Sequence, residues 1–223
     1  MTAIVLVSGG MDSAAIIGLA AKKYNDLAFL HITYGQNTAQ KERECFEKLA
    51  NHYKVPKHKQ KIIDISFLRQ IGGSSLTDEQ IEVTNFQGDS DQIPSSYVPF
   101  RNTHIIACAV SWAEVIGASK IYIGANEEDS PGYPDCRPSY YQAYNELIKQ
   151  GTKDGSVSIE TPVISMTKSE IIKLANQNQV PLELTWSCYR SNDLACGTCD
   201  SCALRLRGFK KLNLKDPISY VNS

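Results

Sequence analysis

Four cysteines crowd one short stretch near the C-terminal end: Cys188, Cys196, Cys199 and Cys202, in the pattern Cys-x7-Cys-x2-Cys-x2-Cys. Four thiolates without a neighbouring histidine suit a tetrahedral, closed Zn²⁺ site of the structural kind. Such a site would pin a segment too small to build a core of its own. An iron–sulfur cluster uses the same Cys-x2-Cys-x2-Cys spacing and remains a rival, as do redox-active and unligated thiols. The chain has seven cysteines, an odd number. In a reducing compartment, clustered thiols point to metal before disulfides.

The second chemical signal is Ser8-Gly9-Gly10-Met11-Asp12-Ser13. It stands between an apolar β-rich run and a helical one. The N-terminus of a helix leaves backbone N–H groups unpaired and carries partial positive charge. Two glycines let such a turn close around an anion, and Ser8 and Ser13 add hydroxyls. Asp12 would repel a bare phosphate, so it suits a loop-orienting role or a share in holding Mg²⁺. The plainer alternative is a turn followed by common helix-start residues. The hexapeptide is neither a Walker A loop nor a Gly-x-Gly-x-x-Gly fingerprint, which moves γ-phosphoryl transfer and dinucleotide redox chemistry down the order.

These groups need elements to position them. Ala3–Val7 reads as a strand buried on both faces. Leu27–Thr33, Ile62–Ile65, Lys120–Gly124 and Ile159–Val163 supply four more strand candidates, with amphipathic runs between them. The alternation predicts an α/β fold with a doubly wound, mainly parallel five-stranded sheet. Residues 66–99 interrupt it with a Ser-, Asp-, Gln- and Gly-rich stretch, read as a functional loop. Arg101–Gly117, Ser139–Gln150 and Thr167–Asn178 read as helices, the last opening on a capping box, Thr167-x-x-Glu170. Periodicity fails from Trp186 onward. The expected organisation is a nucleotide-binding domain over 1–185 with the 66–99 insertion, then a four-cysteine unit and tail over 186–223.

Composition removes several function classes. Lys+Arg is 23 and Asp+Glu is 24, too balanced for a general nucleic-acid binder. The basic run Lys54–Lys61 reads as a solvated loop. The longest apolar run, Ala14–Ala21, is too short to cross a bilayer, and the N-terminal run has no leader-like charge or cleavage pattern. A cytoplasmic protein without membrane or nucleic-acid partners is expected. The histidines His31, His52, His58 and His104 form no ligand-like cluster, so packing roles are their default.

Taken together, the motifs resemble a family. Ser-Gly-Gly-Met-Asp-Ser after the first strand is similar to the phosphate loop of the PP-loop ATP pyrophosphatases. Tyr34-Gly35-Gln36, the segment Pro94–Asn102 (PSSYVPFRN), Gly132–Arg137 (GYPDCR), Thr161-Pro162-Val163 with Lys168-Ser169-Glu170, and the cysteine set narrow this to the 7-cyano-7-deazaguanine synthase family. The resemblance spans roughly residues 3–208. It implies ATP-dependent conversion of 7-carboxy-7-deazaguanine and ammonia to the nitrile, through an adenylated acid and an adenylated amide. It also implies ATP, Mg²⁺ and Zn²⁺ and, by analogy, a homodimer.

The resemblance distributes roles. Ser8, Gly9, Gly10, Asp12 and Ser13, flanked by Val7, Met11 and Ala14, would cradle pyrophosphate. Lys168 would add positive charge there, unless it is a solvated first-turn lysine. Arg101 and Asn102 would reach nucleotide or acid, unless Asn102 or Thr103 merely caps its helix. Asp129 or Asp135 would accept from the N–H edge of the heterocycle, Arg137 would pair with its carboxylate, and Tyr97 or Tyr133 would stack on the ring. The alternative for that loop is an ordered turn in which Asp135 and Arg137 pair with each other. Cys136 is read as structural. Asp12, Lys168 and Arg101 are the expected catalytic residues.

Two segments depart from the family pattern. Asn37-Thr38 stand where Arg-His is usual, and Asp129-Ser130-Pro131 where Asp-x-Ser is usual. A divergent relative that passes the activated acid to another amine, such as one on a macromolecule, is therefore an alternative. A PP-loop RNA-modifying enzyme and a non-catalytic nucleotide sensor are two more.

Overall fold

The computed structural model describes residues 1–88, 92–127 and 133–221. Five parallel strands make one sheet: β1 (Thr2–Leu6), β2 (Asp26–Thr33), β3 (Gln60–Asp64), β4 (Lys120–Tyr122) and β5 (Ser158–Glu160), in the order β3-β2-β1-β4-β5. The doubly wound expectation is borne out. β1 is central, and alternate side chains feed two cores: Ala3 and Val5 one face, Ile4 and Leu6 the other. Burial on both sides is why its sequence is an unbroken apolar run.

Helices cover both faces. α1 (Met11–Lys23), α2 (Ala39–His52) and α6 (Lys168–Gln177) pack on the first; α4 (Arg101–Ile116) and α5 (Pro138–Gly151) pack on the second. The capping box of α6 forms as expected, with Thr167 Oγ1 accepting from Glu170 N and the Glu170 carboxylate accepting from Thr167 N.

Two elements were not legible. The 66–99 stretch contains α3 (Phe67–Ile71), a helix of five residues, too short to show periodicity. Residues beyond Trp186 contain α7 (Asp200–Lys211). Its pattern is obscured because it buries a cysteine and a charged residue, Cys202 and Arg205, along with Leu204 and Phe209. α7 packs on α6, and Phe209 enters the first core.

β1 connects to a neighbour on one side and β4 to a neighbour on the other, so the chain reverses its winding between them. A crevice opens at the carboxyl ends of strands at such a reversal. The Ser8–Ser13 loop follows β1 directly into it.

Candidate active site

The Ser8–Ser13 loop is built by backbone geometry. Gly9 has φ +85°, and a Cβ there would sit 2.7 Å from the Glu42 carbonyl oxygen, so a side chain is excluded twice over. Gly10 caps α1 with no side-chain bond, and Ala14 N–H is the first to bond back to Gly10 O, at 3.0 Å. The preceding amides of that turn are the natural anion donors. Ser8 Oγ accepts from Gly10 N and lies 3.2 Å from Ser13 Oγ, which donates to Gly10 O. From the β4 side, Gly124 lets the chain pass close: a Cβ there would meet Ser13 N at 2.8 Å.

Lys168 is not a solvated lysine. It is the first residue of α6, and its Nζ lies 2.6 Å from Asp12 Oδ2 with only 6% of the side chain exposed. The second oxygen, Asp12 Oδ1, is buried and has no hydrogen-bond partner among the described residues. An orphaned carboxylate oxygen beside an anion loop fits a hard divalent cation.

A cavity of about 230 Å³ extends from this loop. Its lining includes Val7, Ser8, Gly10, Met11, Asp12, Ser13 and Lys168, and also Tyr34, Glu42, Arg101, Asn102, Tyr133 and Cys136. Apolar walls come from Leu30, Ile32, Ile105 and Ile123. Gly9 and Ala14 shape the loop without lining the cavity. Arg101 donates to Tyr34 Oη at 3.1 Å with its guanidinium 5.1 Å above that ring, and its Nε is buried without a hydrogen-bond partner among the described residues.

The loop after β4 behaves differently from the sequence reading. Asp135 is buried but does not line the cavity. Its Oδ2 accepts from Asn102 N at 3.2 Å, while Asn102 Nδ2 donates to Asp135 O at 3.0 Å. α4 begins after Phe100, in the left-handed region, with no side-chain cap of its own. Asp135 therefore supplies a cap from a distant loop, in place of Asn102 or Thr103. Burial raises its pKa, with Arg101 opposing. Tyr133 reaches the cavity wall, bonds Ser96 Oγ at 2.8 Å and meets Tyr97 edge-to-face at 5.2 Å between centroids. Tyr97 stands behind it, accepting from Phe100 N. Arg137 is exposed, off the cavity wall, and in no ion pair with Asp135 among the described residues. Asp129 and Pro131 lie outside the described residues.

Sequence reasoning missed Glu42, Tyr34, Asn126 and Arg205, all on the cavity wall. Asn126 ties β4's exit to the start of α6 by donating to the carbonyls of Val163 and Met166. Arg205, 1% exposed, forks onto Asp216 at 2.7 and 2.9 Å and also donates to Thr185 Oγ1. Tyr34 had a signal in the Tyr34-Gly35-Gln36 motif but no assigned role, Asn126 and Arg205 showed only an amide and a charge beside apolar residues, and Glu42, on a charged helix, showed none.

The four predicted cysteines converge: their sulfur atoms lie within 4.8 Å of one another, three of the residues buried. Backbone N–H groups of Arg190 and Cys196 point at Cys188 Sγ, and those of Thr198 and Cys199 at Cys196 Sγ, between 3.3 and 3.5 Å. Such donors favour thiolates, so the set fits a metal that takes four sulfurs. The cluster could hold zinc. It is also tied to the phosphate loop, because Trp186 N donates to Gly9 O at 2.9 Å.

A family model described as queuosine biosynthesis protein QueC matches residues 2–213. The chain belongs to this family. The resemblance read from the motifs is borne out. A relative from Chloroherpeton thalassium, named 7-cyano-7-deazaguanine synthase, is 52% identical over 99% of this chain and 97% of its own. A relative of the same name from Koribacter versatilis is 48% identical over 98% and 93%. Among solved structures, the U34-tRNA thiolase NcsA from Methanococcus maripaludis, described with its [4Fe-4S] cluster, is 13% identical with a TM-score of 0.50. The match covers 95% of this chain and 66% of that one, and shows a shared fold. No helix among the described residues is long and apolar enough to cross a membrane.

Proposed function

We propose that this QueC-family chain makes 7-cyano-7-deazaguanine from 7-carboxy-7-deazaguanine and ammonia, using ATP twice. The observation that carries the reading is the buried Lys168–Asp12 pair at the Ser8–Ser13 loop, on the wall of the cavity that is also lined by Arg101 and Tyr133. Full-length relatives near 50% identity bear that enzyme's name.

The chemistry explains the parts. A carboxylate cannot be displaced by ammonia, since oxide would have to leave. Attack of its oxygen on the α-phosphorus of ATP expels pyrophosphate and leaves AMP as a leaving group. Ammonia then gives the amide and AMP. A second adenylation on the amide oxygen, followed by loss of AMP and protons, gives the nitrile. Both steps activate an oxygen on the same carbon, so one site serves both.

In this reading the amides of residues 9–13 and the hydroxyls of Ser8 and Ser13 hold the β,γ end of ATP. Lys168 meets the charge that builds on departing pyrophosphate. Mg²⁺, held at Asp12, would screen the same phosphates. Of the two guanidinium groups on the cavity wall, Arg205 is committed to Asp216 and Arg101 is in no ion pair among the described residues, so Arg101 pairs with the substrate carboxylate; Tyr133 packs on the heterocycle. Asp135 acts through α4, by holding Asn102 and the start of the helix. The four cysteines hold one Zn²⁺, which secures residues 186–223 against the nucleotide-binding domain and so fixes Gly9. The protein works in the cytoplasm on small molecules, as a homodimer.

Incubation with ATP, Mg²⁺, ammonium and the acid, with mass spectrometry of products, tests the reading. Nitrile with two AMP per product supports it. AMP without nitrile favours transfer to another amine. No AMP at all favours a nucleotide sensor.

A further inference from the structure

Among the described residues, two carboxylates line the cavity, Asp12 and Glu42. Asp12 is matched by Lys168. Glu42 is in no ion pair among the described residues. Instead each of its oxygens accepts one neutral hydrogen bond, Oε1 from Thr38 Oγ1 and Oε2 from Gln36 Nε2, both at 2.8 Å. Gln36 Oε1 accepts from Tyr34 N at 2.8 Å, which determines which end of that amide faces Glu42. Gln36 and Thr38 are 5% and 4% exposed, so the carboxylate is held rigidly. An ionised carboxylate offers about four acceptor sites, and two stay open. Burial raises the Glu42 pKa, with Gln36, Thr38 and Arg101 opposing. Its backbone carbonyl packs against Gly9, which puts the residue beside the phosphate loop.

A half-buried carboxylate on a cavity wall, with open lone pairs and no ion-pair partner among the described residues, is a receptor for a small positive or N–H-rich ligand. The reaction proposed above supplies one. Ammonia reaches the enzyme mostly as ammonium, which has no lone pair and cannot attack. We propose that Glu42 binds the ammonium ion and removes its proton, making it the general base of amide formation; this rests on the synthase reading. One N–H bond of ammonium breaks, and its proton goes to a Glu42 oxygen. The freed nitrogen lone pair forms the C–N bond at the acyl carbon while the C–O bond to AMP breaks, AMP keeping the electron pair. The nitrogen sheds its surplus proton to water. Thr38 is a positioning residue for Glu42. That gives a use to one of the two residues that depart from the family's usual Arg-His.

The test separates the two readings. Acid-dependent exchange of labelled pyrophosphate into ATP, run without ammonium, reports adenylation alone. Its absence in the wild-type protein overturns the synthase reading and this one with it. With exchange present, Glu42→Gln lowers amide and nitrile formation from ammonium by about a hundredfold or more, the scale of a lost general base, while exchange falls by less than about threefold. Hydroxylamine, a free base at neutral pH, needs no such proton removal, so hydroxamate formation is largely retained. Glu42→Asp, which keeps the carboxylate, restores part of the ammonium reaction at a raised KM for ammonium. A thermal melt of each variant guards against misfolding. The proposal is overturned if exchange and amide formation fall together, which would make Glu42 a receptor for acid or nucleotide. It is equally overturned if hydroxylamine and ammonium lose rate alike, or if KM and kcat for ammonium are unchanged.

Discussion

Lys168 Nζ and Asp12 Oδ2 stand 2.6 Å apart, although 156 residues separate them in the chain. The contact joins the first residue of α6 to the first turn of α1 across the sheet's reversal point. Lys168→Met keeps the stem and removes the charge. We expect acid-dependent pyrophosphate exchange to drop by about 10²–10³-fold, the range for a lost electrostatic donor. Retention of exchange would dismiss Lys168 from the phosphate site.

The phosphate loop depends on a residue without a side chain. Gly9→Ala forces φ +85° on a residue with a Cβ and drives that Cβ to 2.7 Å from Glu42 O. A destabilisation of roughly 1–3 kcal/mol is expected from the backbone alone, with ATP binding by calorimetry lost. The neighbouring Gly10 has no such clash, so Gly10→Ala should be milder.

Metal content and nucleotide binding should move together. Cys199→Ser removes one buried member of the cluster whose sulfurs lie within 4.8 Å of one another. Because Trp186 N donates to Gly9 O, loosening residues 186–202 releases the phosphate loop. We expect one zinc per chain in colourless wild-type protein. In the variant, we expect less than half of that, a lower melting temperature and weaker ATP affinity. A brown wild-type protein with iron and sulfide would replace zinc with an iron–sulfur cluster.

His31 gives a pH dependence of stability. It is fully buried, and its Nδ1 lies 2.8 Å from Val7 O. A carbonyl only accepts, so Nδ1 carries the proton, and the buried Nε2 has no partner among the described residues. Burial holds the imidazole below its ordinary value of 6.5, the bond to Val7 opposing. The unfolded chain then binds a proton more readily than the folded one. The stabilising contribution is complete above pH 6.5 and is lost as pH falls from there through the folded-state value. Urea midpoints from pH 7 down to about 5 should fall more steeply for the wild type than for His31→Gln. Parallel curves would put the acid sensitivity elsewhere.

Much of this fold is legible in the sequence. β1 reads as an unbroken apolar run because it is central, and the capping box of α6 is a local bond between Thr167 and Glu170. The turn at Ser8–Ser13 and the convergence of the four cysteines were legible for the same reason: each needs particular residues at short, set spacings. Tertiary structure decided the rest. Nothing local distinguishes Lys168 from a solvated lysine, Asp135 from a substrate acceptor, or Glu42 from the other acidic residues of α2. Their roles come from what the sheet's reversal brings beside them: Asp12, the uncapped start of α4, and the Gln36–Thr38 donors at a cavity wall. Spacing along the chain records bonds between neighbours, whereas a pairing across 156 residues exists only once the sheet has closed.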